Sequence, residues 1–175
     1  MIIWFTGLSG VGKTTLSKSL YDKLKNKGIK NIIWLDGDIL RDAISPDLDF
    51  SEKSRIKQIT KTQRLAKHLE SQDHIVIVSA LYSNSKLLSW NRDNFKEYIE
   101  IYLHASIGSL KERDTKNLYI NSISGKIKNV VGIDINWEEP KHPDIMINNT
   151  KFPNLQDTTR MIVDVIYKKS PLNLE

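Results

Sequence analysis

The sequence predicts an α/β domain, a parallel β-sheet sandwiched by helices with a lid segment over one edge. Three observations carry that expectation. Short apolar runs alternate with segments of helical spacing, and no repeat or low-complexity linker divides the 175 residues. A glycine-rich turn also joins the first apolar run to the first helical segment. A chain of this length fits a single domain over residues 1–175 with an adequate core.

Each element follows from its own pattern. Residues 2–6 are a continuous apolar run ending at Gly7, the signature of a central parallel strand. From residue 14 to about 27, Leu16, Leu20, Tyr21 and Leu24 recur at helical spacing, and Gly28 stands where a helix terminates. Residues 31–35 form a second strand, ended by Asp36-Gly37-Asp38. Residues 51–70 read as a mostly polar helix on Ile56, Ile59, Leu65 and Leu69, with Ser51 as its start signal. Residues 74–81, 98–103 and 145–147 are three further strands, and helices are expected near 107–113 and over 155–167. Residues 114–140, rich in Lys, Asn and Ser, read as an irregular, exposed lid. Trp4 and Trp34 lie in strands and are expected in the core, whereas Trp137 falls in the lid, where packing beneath it is the expectation.

The turn after the first strand reads Gly7-Leu8-Ser9-Gly10-Val11-Gly12-Lys13-Thr14, a Walker A motif between a strand and a helix. This makes the expected fold that of P-loop nucleotide-binding proteins. The glycines let backbone N–H groups close on phosphate, and the helix N-terminus adds partial positive charge. Lys13 is expected to reach the β- and γ-phosphates of ATP, and the Thr14 hydroxyl to ligate Mg²⁺. No guanine-reading Asn-Lys-x-Asp is present. Chain length favours a small-molecule kinase over a motor.

Two carboxylates, Asp36 and Asp38, end the second strand at the sheet edge where α/β proteins bind ligands. One can hold a Mg²⁺-bound water while the other orients or deprotonates an acceptor hydroxyl. Read alone, the segment fits an Asp-Gly turn with capping aspartates better; beside a Walker A motif one strand earlier, the ligand-binding reading prevails. Arg41 and Arg55 suit anion binding or surface ion pairs, and Phe50 suits base stacking or a packing role at a helix start.

Composition narrows the partners. Hydrophobic residues are 39% and charged residues 27%, and no apolar run approaches the roughly 18–20 residues that span a bilayer. The apolar start stops at Thr6-Gly7 without a basic leader or cleavage site, so a strand is expected rather than a signal peptide. The absence of cysteine excludes disulfides, thiolate metal sites and cysteine nucleophiles. A cytoplasmic enzyme is the expectation, with no membrane partner. The net charge of +5 is spread along the chain without interleaved aromatics, so a small anionic ligand is expected rather than nucleic acid. His68, His74, His104 and His142 lack metal-ligand spacing.

Taken together, residues 7–15, 35–41 and 47–55 (with Asp47, Leu48, Phe50, Ser51, Glu52 and Arg55), the Arg113-Asp114-x-Lys116-x-Leu118-Tyr119 segment and Gly132-Ile133-Asp134 resemble the adenylylsulfate (APS) kinase family. The resemblance runs through nearly the whole chain. It implies phosphorylation of a nucleotide ribose 3′-hydroxyl by MgATP, with Asp38 as base, Asp36 on the Mg²⁺ side with Thr14, and the lid closing over both nucleotides. On the ATP side it implies Gly7, Ser9, Gly10, Val11, Gly12, Lys13, Thr14, Thr15 and Arg113. On the acceptor side it implies Asp38, Arg41, Phe50, Arg55, Gln58, Tyr82, Lys128, Val130, Gly132 and Ile133. It also implies a homodimer as one possible assembly.

The departures from the family pattern fall on the acceptor side. Val130 stands where the family usually has the second phenylalanine of a purine clamp, and Gln58 stands for an Asn. Residues 81–86, Leu-Tyr-Ser-Asn-Ser-Lys, replace the usual Ile-Ser-Pro-Tyr-Arg, and Ile120 and Ile123 replace two basic lid residues. A smaller base suits the altered pocket, with Tyr82 and Asn84 as new contacts to base or ribose. The APS kinase-like branch that phosphorylates cytidine diphosphoramidate is therefore the expectation. APS kinase proper is the alternative, and an ATP-binding regulatory protein without catalysis is the alternative from another class.

Overall fold

The computed structural model describes residues 1–114, 117–151 and 153–169. In chain order the elements are β1 (Ile2–Thr6), α1 (Lys13–Asn26), β2 (Ile32–Asp36), α2 (Gly37–Ile44), α3 (Glu52–Glu70), β3 (Ile75–Ala80), α4 (Ser85–Asn94), β4 (Tyr98–His104), α5 (Ile107–Glu112), α6 (Leu118–Ile123), β5 (Ile145–Asn148) and α7 (Leu155–Lys169). The strands form one sheet in the order β2-β3-β1-β4-β5, and each of its four pairings is parallel. Parallel strands require crossover connections, which here carry the helices onto the sheet.

Register places the site. Thr6 lies opposite Ala80 and Tyr102, and Asp36 lies opposite Ser79, so the strands end together at one edge. β1 and β3 are buried along their whole lengths, as strands covered on both faces must be. Trp4 is in the core with its ring 6.5 Å from Phe95, which follows α4. Trp34 sits nearer the surface, with its indole N–H donating to Ser17 Oγ at 2.9 Å. α1 packs against α7, and α3 packs over β3 and against α4. Among the described residues no helix is long and apolar enough to cross a membrane.

One sequence expectation is sharpened and two are corrected. Asp36-Gly37-Asp38 ends the strand as a helix cap, the capping-aspartate reading of the segment, rather than as a free turn. β2 continues through Asp36, and α2 begins at Gly37 because the Asp36 carboxylate caps it, accepting from the N–H groups of Asp38 and Ile39. Residues 85–94, left unassigned, form α4, capped by Asn84 accepting from Leu87 N–H at 2.9 Å. The 114–140 stretch is neither wholly irregular nor wholly exposed. It contains α6, whose first N–H groups are capped by Asp114, and it buries Tyr119, Val130, Val131 and Ile135. The dense polar composition hid these anchors. Lys116 of the family-like segment lies outside the described residues.

Near the sheet's far side Glu100, 1% exposed, accepts from Tyr98 Oη at 3.0 Å and pairs with Arg92 at 3.3 Å. Burial raises its pKa, with Arg92 pulling the other way. The folded state therefore holds the Glu100 proton more tightly than the unfolded chain, and this site disfavours folding as pH rises. Arg92→Ala should lower stability by about 1–2 kcal/mol at pH 7, less than for a fully buried pair because Arg92 is 39% exposed. The deficit should shrink on lowering the pH from 7 to 5, because the raised pKa brings Glu100 closer to taking up a proton. Denaturant unfolding of both proteins at the two pH values checks this, and an equal deficit at both would take Glu100 out of the account.

Candidate active site

The site grows from the loop between β1 and α1. Gly12 precedes the helix at φ 97°, and the first helical hydrogen bond runs from Leu16 N–H to Gly12 C=O at 3.0 Å. The N–H groups of Lys13, Thr14 and Thr15 are therefore left without helical partners, as at any helix start. Two loop carbonyls are held from outside. Tyr119 Oη donates to Ser9 C=O at 2.8 Å, and Asn149 Nδ2 donates to Val11 C=O at 2.6 Å. In a trans peptide the C=O of one residue and the N–H of the next point oppositely. Fixing those carbonyls outward turns the Gly10 and Gly12 N–H groups the other way, into the loop. The loop, with the start of α1, is thereby an anion cradle.

Lys13 Nζ donates to Leu8 C=O at 2.8 Å. Burial lowers its pKa to about 8, against the opposing charges of Asp38 and Asp36. Thr14 Oγ1 donates to Asp36 Oδ2 at 2.8 Å, and Ser79 Oγ donates to the same oxygen at 2.7 Å. Burial works against ionisation of Asp36, but the hydrogen bonds from Ser79, Thr14 and the Asp38 and Ile39 amides outweigh it and hold the carboxyl below the ordinary range. Asp36 and Thr14 are hard oxygen donors side by side, the ligand type Mg²⁺ takes. Asp38, in the first turn of α2, is exposed, and its charge is felt at both Lys13 and Arg55.

A second cluster lies beyond Asp38. The Phe50 ring, 55% exposed, is flanked by the Arg41 guanidinium at 5.0 Å and the Arg55 guanidinium at 5.6 Å from its centroid. Backbone carbonyls fix both arginines. Arg41 reaches Leu48 and Asp49, and Arg55 reaches Phe50 and, at 2.8 Å, Asn129. The last bond ties α3 to the segment carrying Val130, whose N–H and that of Asn129 are held by Asp134. Gly132, at φ 89°, crosses over the loop so closely that a Cβ there would meet Leu8 Cδ2 at 3.0 Å. Gln58, 4% exposed, has no hydrogen-bond partner for either end of its amide among the described residues, and nor does Ser83 Oγ. Buried polar groups of that kind mark a place for a ligand or water.

The structure thus brings together Gly7–Thr15, Asp36 and Asp38 on one side, and Arg41, Phe50, Arg55 and the 129–133 segment on the other. Arg113 donates to Thr150 C=O at the far side of the loop. Other expected residues stand differently. Val130 is 3% exposed and belongs to the core, and Tyr82 is 3% exposed with its hydroxyl donating to Glu52 at 2.6 Å rather than pointing at open space. Asn84 spends its side chain on the α4 cap. Lys128 is exposed, and Ile133 is 36% exposed. A cavity of about 340 Å³ lies beside the loop, lined by Leu8, Tyr102, His104, Gly132, Ile133 and Trp137 among others, and it includes neither Asp38 nor Phe50. Trp137 packs as expected under this segment, its ring 6.3 Å from Tyr102.

Ser79 and Asn149 are not among the sequence-predicted residues, and Glu52 and Ser83 enter only as members of longer motifs. Ser79 was discoverable as the residue facing Asp36 across two strand ends, but nothing local signals Asn149. Tyr119 was noticed only as part of a motif.

The Adenylylsulphate kinase family model matches residues 1–148. The cytidine diphosphoramidate kinase of Campylobacter jejuni is 40% identical over 162 residues, covering 93% of this chain and 94% of that enzyme. The adenylyl-sulfate kinase of Halothermothrix orenii is 33% identical over 172 residues, covering 98% and 92%. The structure of the Mycobacterium tuberculosis APS kinase in complex with AMPPNP and APS superimposes with a TM-score of 0.85 at 30% identity, covering 94% of this chain and 96% of that one. With the family model matching residues 1–148 and these relatives alike over almost their full lengths, this chain, a P-loop phosphotransferase, belongs to the adenylylsulphate kinase family.

Proposed function

We propose that this enzyme transfers the γ-phosphate of MgATP to the ribose 3′-hydroxyl of cytidine diphosphoramidate. The transfer half of the reading rests on the cradle. Loop N–H groups and Lys13 neutralise the triphosphate, Lys13 exchanging Leu8 C=O for phosphate oxygens. Thr14 and Asp36 would hold Mg²⁺, which supplies charge neutralisation across the phosphates when bound. Arg113 stands at the ATP side. Asp38 accepts the proton of the acceptor hydroxyl, and Arg41 and Arg55 hold the acceptor's anionic diphosphate end. Residues 114–140, with Lys128, Gly132 and Ile133 over the acceptor, exclude water from the transfer.

One observation carries the choice of acceptor. Phe50 presents an exposed aromatic ring beside Arg41 and Arg55, while the position opposite in the family's clamp is the buried, aliphatic Val130, so one aromatic wall remains where the family has two. A purine stacked on one face only loses more contact area than a pyrimidine does. The Gln58 amide offers an acceptor and a donor in one plane, matching the amino group and ring nitrogen of cytosine. The same pair exists in adenine, so stacking area and not this amide separates the two bases. The relative that shares 40% identity is itself a cytidine diphosphoramidate kinase. The second reading, APS as acceptor, is favoured by the Mycobacterium tuberculosis structure, which holds APS on the same fold.

ADP release measured with both acceptors should give a kcat/KM about 10- to 100-fold higher for cytidine diphosphoramidate than for adenylylsulfate. The reverse preference would make this an APS kinase and take Val130 out of the specificity argument. Asp38→Asn should lower kcat by about 10²- to 10⁴-fold while MgATP affinity changes by less than about threefold. Near-normal turnover in that variant would exclude Asp38 as the base. Lys13 makes a pH prediction. Free, it titrates at about 8, and bound phosphate raises it, so MgATP binding near pH 8 should take up a proton and weaken as pH climbs further. Calorimetry in buffers of different ionisation enthalpy reads that uptake, which should fade by pH 6.5. No uptake at pH 8 would disconnect Lys13 from the phosphates.

A further inference from the structure

The loop is held from outside by two side chains that belong to neither the Walker motif nor the acceptor pocket. Tyr119, on α6, is 1% exposed and donates to Ser9 C=O at 2.8 Å. Asn149, just beyond β5, donates to Val11 C=O at 2.6 Å. A Cβ on Gly12 would lie 2.8 Å from Asn149 Nδ2, so the amide fills the space that glycine leaves. These anchors are joined to one another. Asn149 N–H donates to His104 C=O at 2.7 Å, setting that residue on the end of β4. Arg113 donates to the Thr150 carbonyl next to it. Asp114, adjacent to Arg113, caps α6 by accepting from Leu118 N–H at 2.7 Å and Tyr119 N–H at 2.6 Å. The circuit closes: loop, Asn149-Thr150, Arg113-Asp114, Tyr119, loop.

We infer that Tyr119 and Asn149 are positioning residues for phosphate binding, holding the Ser9 and Val11 carbonyls outward so that the Gly10 and Gly12 N–H groups face the phosphate chain. Without them each peptide can rotate, and a carbonyl turned inward places negative charge where the phosphate must sit. The circuit gives the lid arm a direct hold on the loop. Order imposed on the loop by phosphate passes to α6 through Tyr119, and to Arg113 through Asn149-Thr150. The inference rests on residues 7–14 being the triphosphate cradle and is independent of which acceptor is used.

The test is titration calorimetry with MgATP and with inorganic tripolyphosphate, which has no base or ribose to find purchase elsewhere, on the wild type, Tyr119→Phe, Asn149→Ala and Asn149→Asp. Tyr119→Phe keeps the buried ring and removes only the hydroxyl. Each of Tyr119→Phe and Asn149→Ala should weaken both ligands by the same factor, about three- to tenfold. Asn149→Asp should weaken them more, because it sets an oxygen against the Val11 carbonyl. The acceptor KM at saturating MgATP should stay within about twofold in Tyr119→Phe, a split from MgATP affinity that general loosening of the fold would not produce. Unchanged affinity for tripolyphosphate in both Tyr119→Phe and Asn149→Ala, with unaltered melting temperatures, would overturn the inference. A loss of acceptor KM equal to the loss of MgATP affinity would overturn it too. Failure of the wild type to bind MgATP would instead strike the reading of the cradle itself.

Discussion

One carboxylate, that of Asp36, ties the phosphate-binding half of the molecule together. It ends β2, accepts from Thr14 at the start of α1 and from Ser79 at the end of β3, and caps α2. Four elements, β2, α1, β3 and α2, are fixed relative to one another by its two oxygens. The parallel register makes this possible by bringing Asp36 and Ser79 side by side at the sheet edge. The α2 that it caps carries Asp38 and Arg41, so the direction in which the acceptor side is presented depends on the same group. An ionised carboxylate suits the task because it accepts several hydrogen bonds at once, and those bonds keep it ionised in a buried setting.

Much of this was legible in the sequence, for physical reasons that differ by element. β1 and β3 are continuous apolar runs because both sheet faces are covered, and α1 follows a glycine turn that few other structures require. α2 escaped notice because an Asp-Gly pair reads as a turn, and only the capping geometry shows that it opens a helix. α4 escaped because Ser85–Asn94 is polar at most positions and buries just Leu87, Leu88 and Asn91. The loop and its lysine were readable from spacing. Asn149 was not, since its importance comes from meeting a carbonyl 138 positions earlier in the chain. Tyr82 shows the opposite limit: the sequence offers it as a contact to an acceptor, but its hydroxyl is captured by Glu52 of α3, which no local pattern signals.

The two halves of the site are built on different principles. The phosphate side is made mostly of backbone, with N–H groups, helix start and carbonyl anchors all set by the fold. The proposed acceptor side is made of side chains, with Phe50 beside two guanidiniums and the buried Gln58 amide one turn further along α3 than Arg55. Exchanging a side chain alters recognition locally, whereas altering the cradle requires moving the main chain. A family with this construction can change what it phosphorylates while leaving how it phosphorylates intact.

The contact between Asn149 and the space over Gly12 limits what either end of the pair tolerates. A side chain at position 12 would run into the Asn149 amide, and it would be strained besides by the positive φ of that backbone. Removing the amide relieves the collision but not the strain. The first turn and the loop after the last strand are thus sterically coupled, although no reading of either stretch by itself reveals the bond between them.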